Sequence, residues 1–270
     1  MFSKVFDLFQ NSSRKNKPIG YLNVITNTAC SQKCRDCGNL NPYVKPEFYD
    51  IKMIIKDIEQ LLKACKNIEI VQVQGGEPFI HPDIYTLLAY LVNEQRILKV
   101  QLASNGVASL KSQVIEILKH PKLHLGISDY YPHVNSQKLI NVLKENNIPH
   151  KKYQFATGTG EWFNFGGIDT EREKNEEIVK NRFNSCPYSI CTTLQNGILG
   201  RCARSINARQ VFSFSGFLND YLNLRDGSCD SKKIIDYFNN RKFMEACYYC
   251  YGATLGKIPP AIQLNKATNE

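Results

Sequence analysis

Between residues 21 and 156 the chain alternates short apolar runs with stretches of helical periodicity, about five times over. This alternation restricts the possible folds more than any other feature. YLNVIT (21–26), IEIVQVQ (68–74), LKVQLAS (98–104), LHLGISD (123–129) and HKKYQFA (150–156) read as strands. IKMIIKDIEQLLKAC (51–65), with Asp50 as N-cap, reads as a helix, as do HPDIYTLLAYLVNEQ (81–95) with Pro82 in its first turn, LKSQVIEILKH (110–120) stopped before Pro121, and SQKLINVLKENN (136–147). Strand–helix–strand units of this kind require parallel strands joined by right-handed crossovers. The fold class is therefore α/β, an open sheet or a barrel, with functional loops at the C-terminal ends of the strands.

After about residue 157 the alternation stops. GTGEWFNFGG (158–167) is a glycine- and aromatic-rich loop, and a charged helix is expected over about 170–183. TTLQNGILGR (192–201) reads as a hairpin with Asn196-Gly197 at its turn, and SKKIIDYFNNRKFMEAC (231–247) as a final helix. At the other end, Phe2, Val5, Phe6 and Phe9 fall at helical spacing, which makes residues 1–19 a short helix or arm packed on the domain. The expected organisation is that arm, a core over 20–184 and a C-terminal region over 185–270.

Ten cysteines without a secretory signal argue against a disulfide scaffold and for metal in a reducing interior, here the cytoplasm. No apolar run approaches the roughly 18 residues needed to cross a bilayer, so no membrane partner is expected. The net charge of +9 is spread along the chain: Lys174 and Lys180, for instance, lie among Glu171, Glu173, Glu176 and Glu177. With no basic block and no nucleic-acid motif, no nucleic-acid partner is expected, and an anionic or phosphate-bearing small molecule is a better match to the charge.

Cys30, Cys34 and Cys37 follow the first strand directly. Structural zinc closes with four ligands, and no fourth lies nearby. An iron–sulfur cube held by three cysteines instead leaves one iron open to a small molecule. The Cys-x3-Cys-x2-Cys spacing at this place in a βα fold resembles the signature of the radical S-adenosylmethionine superfamily. The resemblance implies a partial (β/α)6 barrel and a 4Fe–4S cluster on these three thiolates, with S-adenosylmethionine chelating the fourth iron. Gly75, Gly76, Glu77 and Pro78, at the end of the second strand, resemble the family's GGEP stretch, which contacts the methionyl amino group. Ser104-Asn105-Gly106 resembles its strand-end motif, and Ser128 is the candidate near the cofactor's ribose. Asp36 departs from the pattern, since an aromatic or apolar residue usually precedes the third cysteine.

A second group resembles the SPASM and twitch extensions: Cys186, then Gly197 and Cys202, then Cys247-x2-Cys250. This implies one auxiliary 4Fe–4S cluster on Cys186, Cys202, Cys247 and Cys250, carried by a small hairpin-plus-helix extension. Cys191 is the rival to Cys186, and four-thiolate zinc is the alternative metal. Cys65 reads as a core residue and Cys229 as a free loop thiol. ISDYY, EWFNFGG, CTTLQNGILGRCARS and CYYCYG followed by IPPAIQ together look like short members of the family with one auxiliary cluster, often associated with carbohydrate biosynthesis.

The activity implied is generation of a 5′-deoxyadenosyl radical and hydrogen abstraction from a sugar, cyclitol or related carbohydrate intermediate. Dehydrogenation or epimerisation would follow, with reduced flavodoxin or ferredoxin as electron donor. His133, Glu161 and Arg204 are candidate proton acceptors, and Cys191 or Cys229 a candidate hydrogen donor. The alternatives are a peptide-modifying enzyme of the same family and a zinc-stapled RNA-binding protein without turnover.

Overall fold

A computed structural model describes residues 18–154, 162–212, 214 and 220–264. Five parallel strands run in chain order across one sheet: β1 (Ile19–Ile25), β2 (Ile68–Gln74), β3 (Ile97–Ser104), β4 (Leu123–Asp129) and β5 (His150–Gln154). The crossovers between them carry α1 (Ile51–Ala64), α2 (Ile84–Asn93), α3 (Ser112–Ile117) and α4 (Gln137–Glu145). The sheet is not closed: its order is β5-β4-β3-β2-β1-β6-β7-β8. The α/β class and the partial barrel expected from the sequence are both present. The residues proposed for an N-terminal helix, 1–17, lie outside the described residues.

Strand alternation sorts the sheet into two unlike faces. Leu22, Val24, Val71, Val73, Val100, Leu102, Leu125 and Ile127 are buried in one core with Ile54, Ile58 and Leu61 of α1 and Leu87, Leu88 and Leu91 of α2. Burying each such side chain stabilises by roughly 1.5–3 kcal/mol, so this face holds the fold together. The opposite face is polar. One register row runs Thr193, Asn23, Gln72, Gln101, His124 across five strands. The Asn23 amide donates to Thr193 Oγ1 at 3.2 Å, the Tyr21 hydroxyl donates to Gln72, and Gln72 Nε2 donates to Gln74 Oε1 at 3.3 Å.

Beyond β5 come α5 (Glu176–Ser185), then β6 (Thr193–Gln195) and β7 (Ile198–Gly200), the expected hairpin. Asn196 and Gly197 both hold positive φ, 48° and 82°, as a two-residue turn between twisted strands requires. β6 pairs in parallel with β1, so the hairpin extends the core sheet at its other edge. β7 pairs in turn with β8 (Leu222–Asn223). The hairpin is also pinned to α1. Arg225 Nε and Nη2 donate to the buried Asp57 carboxylate at 2.9 and 2.7 Å, and its Nη1 donates to Asn196 Oδ1 at 2.9 Å.

Three helices depart most from the sequence reading. The charged helix starts at Glu176 because the Asn175 side chain caps it, accepting from the amides of Glu177 and Ile178. The helix read over 231–247 stops early: α7 is Ser231–Asn239, and Arg201 Nη2 then donates to the Asn240 carbonyl at 2.6 Å. Residues Glu245–Tyr249 form a separate 3-10 turn. A helix absent from the sequence reading, α6 (Ala203–Val211), begins at Cys202, whose sulfur accepts the Ser205 amide at 3.4 Å.

Candidate active site

The loop leaving β1 carries the first three thiols, and its backbone is laced to the loop leaving β2. Gly76 N donates to Asn27 O at 2.7 Å and Glu77 N to Ala29 O at 3.0 Å. A Cβ on Gly75 would stand 2.6 Å from Asn27 O, and one on Gly76 only 2.0 Å from Ala29 O. The two glycines are required here by backbone-on-backbone contact.

Glu77 is fully buried and acts as a bracket between strands. Its carboxylate accepts from Asn105 N at 2.7 Å, Ser104 Oγ at 2.9 Å and Phe79 N at 3.1 Å. Burial nevertheless pushes it up to about 7, against the pull of those donors. Ser104 and the Asn105 amide are thereby fixed at the end of β3. The Asn105 side chain then reaches the cysteine loop, donating to Ser31 Oγ at 3.1 Å and lying 3.6 Å from Cys30 Sγ.

The three thiols lie close enough to act on one another electrostatically. Burial pushes Cys30 up to about 12 and Cys34 up to about 11, and it raises Cys37 as well. Donors meet each sulfur: Gln32 N on Cys30 at 3.4 Å, Gln263 Nε2 on Cys34 at 3.4 Å, and the amides of Asn39, Leu40 and Asn41 around Cys37. Thiols that are neutral when bare but ringed by N–H donors fit a site where a cationic cluster displaces the protons.

Two contacts on this loop lay outside the sequence reading. Residues near the C-terminus strap it: Arg35 N donates to Ile262 O at 2.7 Å and Leu264 N to Lys33 O at 2.8 Å. The segment IPPAIQ was legible only as part of a resemblance, since nothing local marks Gln263 as a neighbour of Cys34. Trp162 is the other: its indole N–H donates to Asp36 O at 2.9 Å, and its ring meets Tyr130 edge-on at 5.1 Å. An aromatic from a distant segment thus lies against the position where Asp36 departs from the family pattern.

Of the remaining candidates, Ser128 is hydrogen-bonded to Tyr130; its neighbour Asp129 accepts from Ser136 Oγ at 3.0 Å and pairs with Lys152 at 2.8 Å. His133 is exposed on the turn after β4. Glu161 lies outside the described residues.

The second thiol set is assembled from three separated segments. Cys186, Cys202, Cys247 and Cys250 line one pocket with Arg201 and Arg204. Each of the four sulfurs accepts backbone N–H: Cys186 from Tyr188 and Ser189, Cys202 from Ser205, Cys247 from Met244 at 3.4 Å and Cys250 from Gly252 at 3.3 Å. Cys191 is near Cys186 and Cys202, yet no such donor meets its sulfur among the described residues, and it does not line the pocket. Among the described residues no His, Cys, Asp or Glu group converges on a single metal ion.

Comparison with known proteins brings in one family, described as the Radical SAM superfamily, which matches residues 24–158. Among solved structures, BtrN in complex with AdoMet and 2-DOIA is 12% identical, with a TM-score of 0.50 over 87% of this chain and 94% of that one. Streptococcus suis SuiB bound to S-adenosylmethionine is 20% identical, with a TM-score of 0.42 over 51% of this chain. That match spans 34% of the SuiB chain, about a third of its length. SuiB bound to the precursor peptide SuiA gives 15% identity and a TM-score of 0.46, over 90% and 71% of the two chains. No curated protein matches the sequence.

Proposed function

Because the chain belongs to the radical S-adenosylmethionine superfamily, we propose that it is an oxidoreductase that takes hydrogen from a sugar, cyclitol or related carbohydrate intermediate. Cys30, Cys34 and Cys37 hold the 4Fe–4S cluster in this reading, with residues 20–184 as the core. Cys186, Cys202, Cys247 and Cys250 hold one auxiliary 4Fe–4S cluster in the region 185–270. Reduced flavodoxin or ferredoxin supplies the electron. Together the cluster and S-adenosylmethionine supply the hydrogen-abstracting radical that no side chain can provide.

The protein's own residues position and enclose. Gly75 and Gly76 let the loops after β1 and β2 lie against each other. Glu77 locks the ends of β2 and β3, and Asn105 extends that lock to the cysteine loop. Such fixed surroundings hold reacting groups in place without reorganisation during the reaction.

The observation that carries the carbohydrate reading is the polar row of Thr193, Asn23, Gln72, Gln101 and His124 on the sheet face opposite α1 and α2. Carboxamides offer a donor and an acceptor each, which suits hydroxyl groups that both give and take hydrogen bonds. Asn23 Oδ1 is buried and has no partner, an acceptor still to be satisfied. The net charge of +9 is compatible with a phosphate on the same molecule.

The test uses anaerobically reconstituted protein with dithionite and S-adenosylmethionine. A panel of carbon-deuterated sugars, sugar phosphates and cyclitols is offered beside deuterated peptides. Deuterium should appear in 5′-deoxyadenosine with a member of the carbohydrate panel. Transfer only from peptides overturns the substrate class, and no 5′-deoxyadenosine at all overturns the activity.

A further inference from the structure

Arg201 and Arg204 are 4% and 6% exposed, and neither has a carboxylate within ion-pair distance among the described residues. Arg201 donates once to Asn240 O at 2.6 Å and lies 4.0 Å over the Tyr237 ring, which leaves its buried Nη1 without a partner. Arg204 donates from Nη2 to Gly166 O at 2.8 Å, which leaves its buried Nε without one. A buried cation with unused donors is strongly destabilising unless an anion accompanies it. Apart from the Tyr188 phenol, the groups in this pocket able to become anionic are thiols. A cluster held by four thiolates is an anion with sulfur acceptors, and it fits both the charge and the orphaned N–H groups.

Arg204 stands between the two thiol sets. It follows Cys202 by two residues on α6. The Gly166 carbonyl it holds follows Phe165, whose ring would be 3.4 Å from a Cβ on Gly38, the neighbour of Cys37. One turn further along α6, Asn207 Nδ2 donates to Asn39 O at 2.7 Å. The guanidinium charge acts on Cys37 on one side and on Cys202 on the other.

We propose that Arg204 is a positioning residue that sets the reduction potential at the second thiol site: a fixed, buried cation that favours the reduced form of a cluster on Cys186, Cys202, Cys247 and Cys250. This rests on the two-cluster reading above. The sign follows from charge, because a reduced cluster carries one more negative charge and a nearby cation stabilises it. Loss of the cation therefore moves the midpoint to more negative potential.

Full-length wild type, Arg204→Gln, Arg204→Lys and Arg209→Gln are reconstituted anaerobically, counted for iron and titrated electrochemically with EPR detection. Cys34→Ala identifies the second cluster's signal. Arg209 lies on the same helix but is exposed, so the solvent screens its charge. Arg204→Gln should shift the second midpoint negative with iron retained, Arg204→Lys should shift it less, and Arg209→Gln should leave it in place. Loss of the second cluster in Arg204→Gln with retention in Arg204→Lys also supports a role for the charge. Unchanged midpoints in iron-replete Arg204→Gln overturn the proposal, as does loss of the cluster in both Arg204 variants. About four irons in wild type instead of about eight would overturn the two-cluster reading itself, and this inference with it.

Discussion

The two thiol sites are built in opposite ways. The first comes from one continuous loop of eight residues, Cys30 to Cys37. The donors on its sulfurs are backbone amides and the Asn105 and Gln263 carboxamides, with the Glu77 bracket behind them. The second gathers Cys186, Cys202, Cys247 and Cys250 from three segments and places two buried guanidiniums beside them. A site formed by one loop depends on how tightly its neighbours grip that loop. A site formed by distant segments depends on whether those segments arrive together, and on how the charge they enclose is balanced.

The largest expected effect strikes the first site alone. Gly76→Ala would put a Cβ 2.0 Å from Ala29 O, backbone that has no side chain to swing away. Overpacking of this kind costs about 3 kcal/mol, enough to remove a large part of a domain's stability. Urea unfolding of the apo-protein checks the cost. Iron counting should show the first cluster lost, whereas the second thiol site, built from segments 186–202 and 247–250, should still load. Equal loss at both would break the contrast.

Next comes pH. Glu77 is held at about 7 in the folded protein against an ordinary 4.5. The folded state then binds the extra proton between those values, so stability is highest below about 4.5 and falls as pH rises towards 7. The fall attributable to Glu77 is about 3 kcal/mol. No carboxylate lines the second pocket to give a matching dependence. Denaturant melts of apo wild type and Glu77→Gln at pH 5 and pH 8 measure the difference. The glutamine variant should show a flatter profile, and identical profiles would remove the bracket's electrostatic role.

The smallest effect is expected at Cys191. With no backbone donor at its sulfur and no place in the pocket lining, Cys191→Ser should keep the full iron content, whereas Cys186→Ser should lose the second cluster. The reverse result would redraw the second site.

Legibility in the sequence follows the same division. The parallel sheet could be read because its strands and helices are set by local periodicity, and the first thiol set could be picked out because its three cysteines sit within one loop. The role of Glu77 as an acceptor for Ser104 and Asn105 could not be read, because it depends on β2 and β3 lying side by side. Helix α6 was missed because its residues, ARSINARQV, bury polar groups such as Arg204 and Asn207 and lack an apolar stripe. Its start is marked by a cysteine, not by one of the usual capping residues. The break after Asn239 was hidden for a related reason, since an arginine 39 residues away captures the carbonyl that follows.

One contact bears on how the protein matures. Gln263 reaches Cys34 across 229 residues of sequence, and the same segment lies along the loop through Arg35 and Leu264. During synthesis, the cysteine loop therefore emerges long before the residues that strap it, and the contacts of Lys33, Cys34 and Arg35 with residues 262–264 close only when nearly all of the described chain has been made.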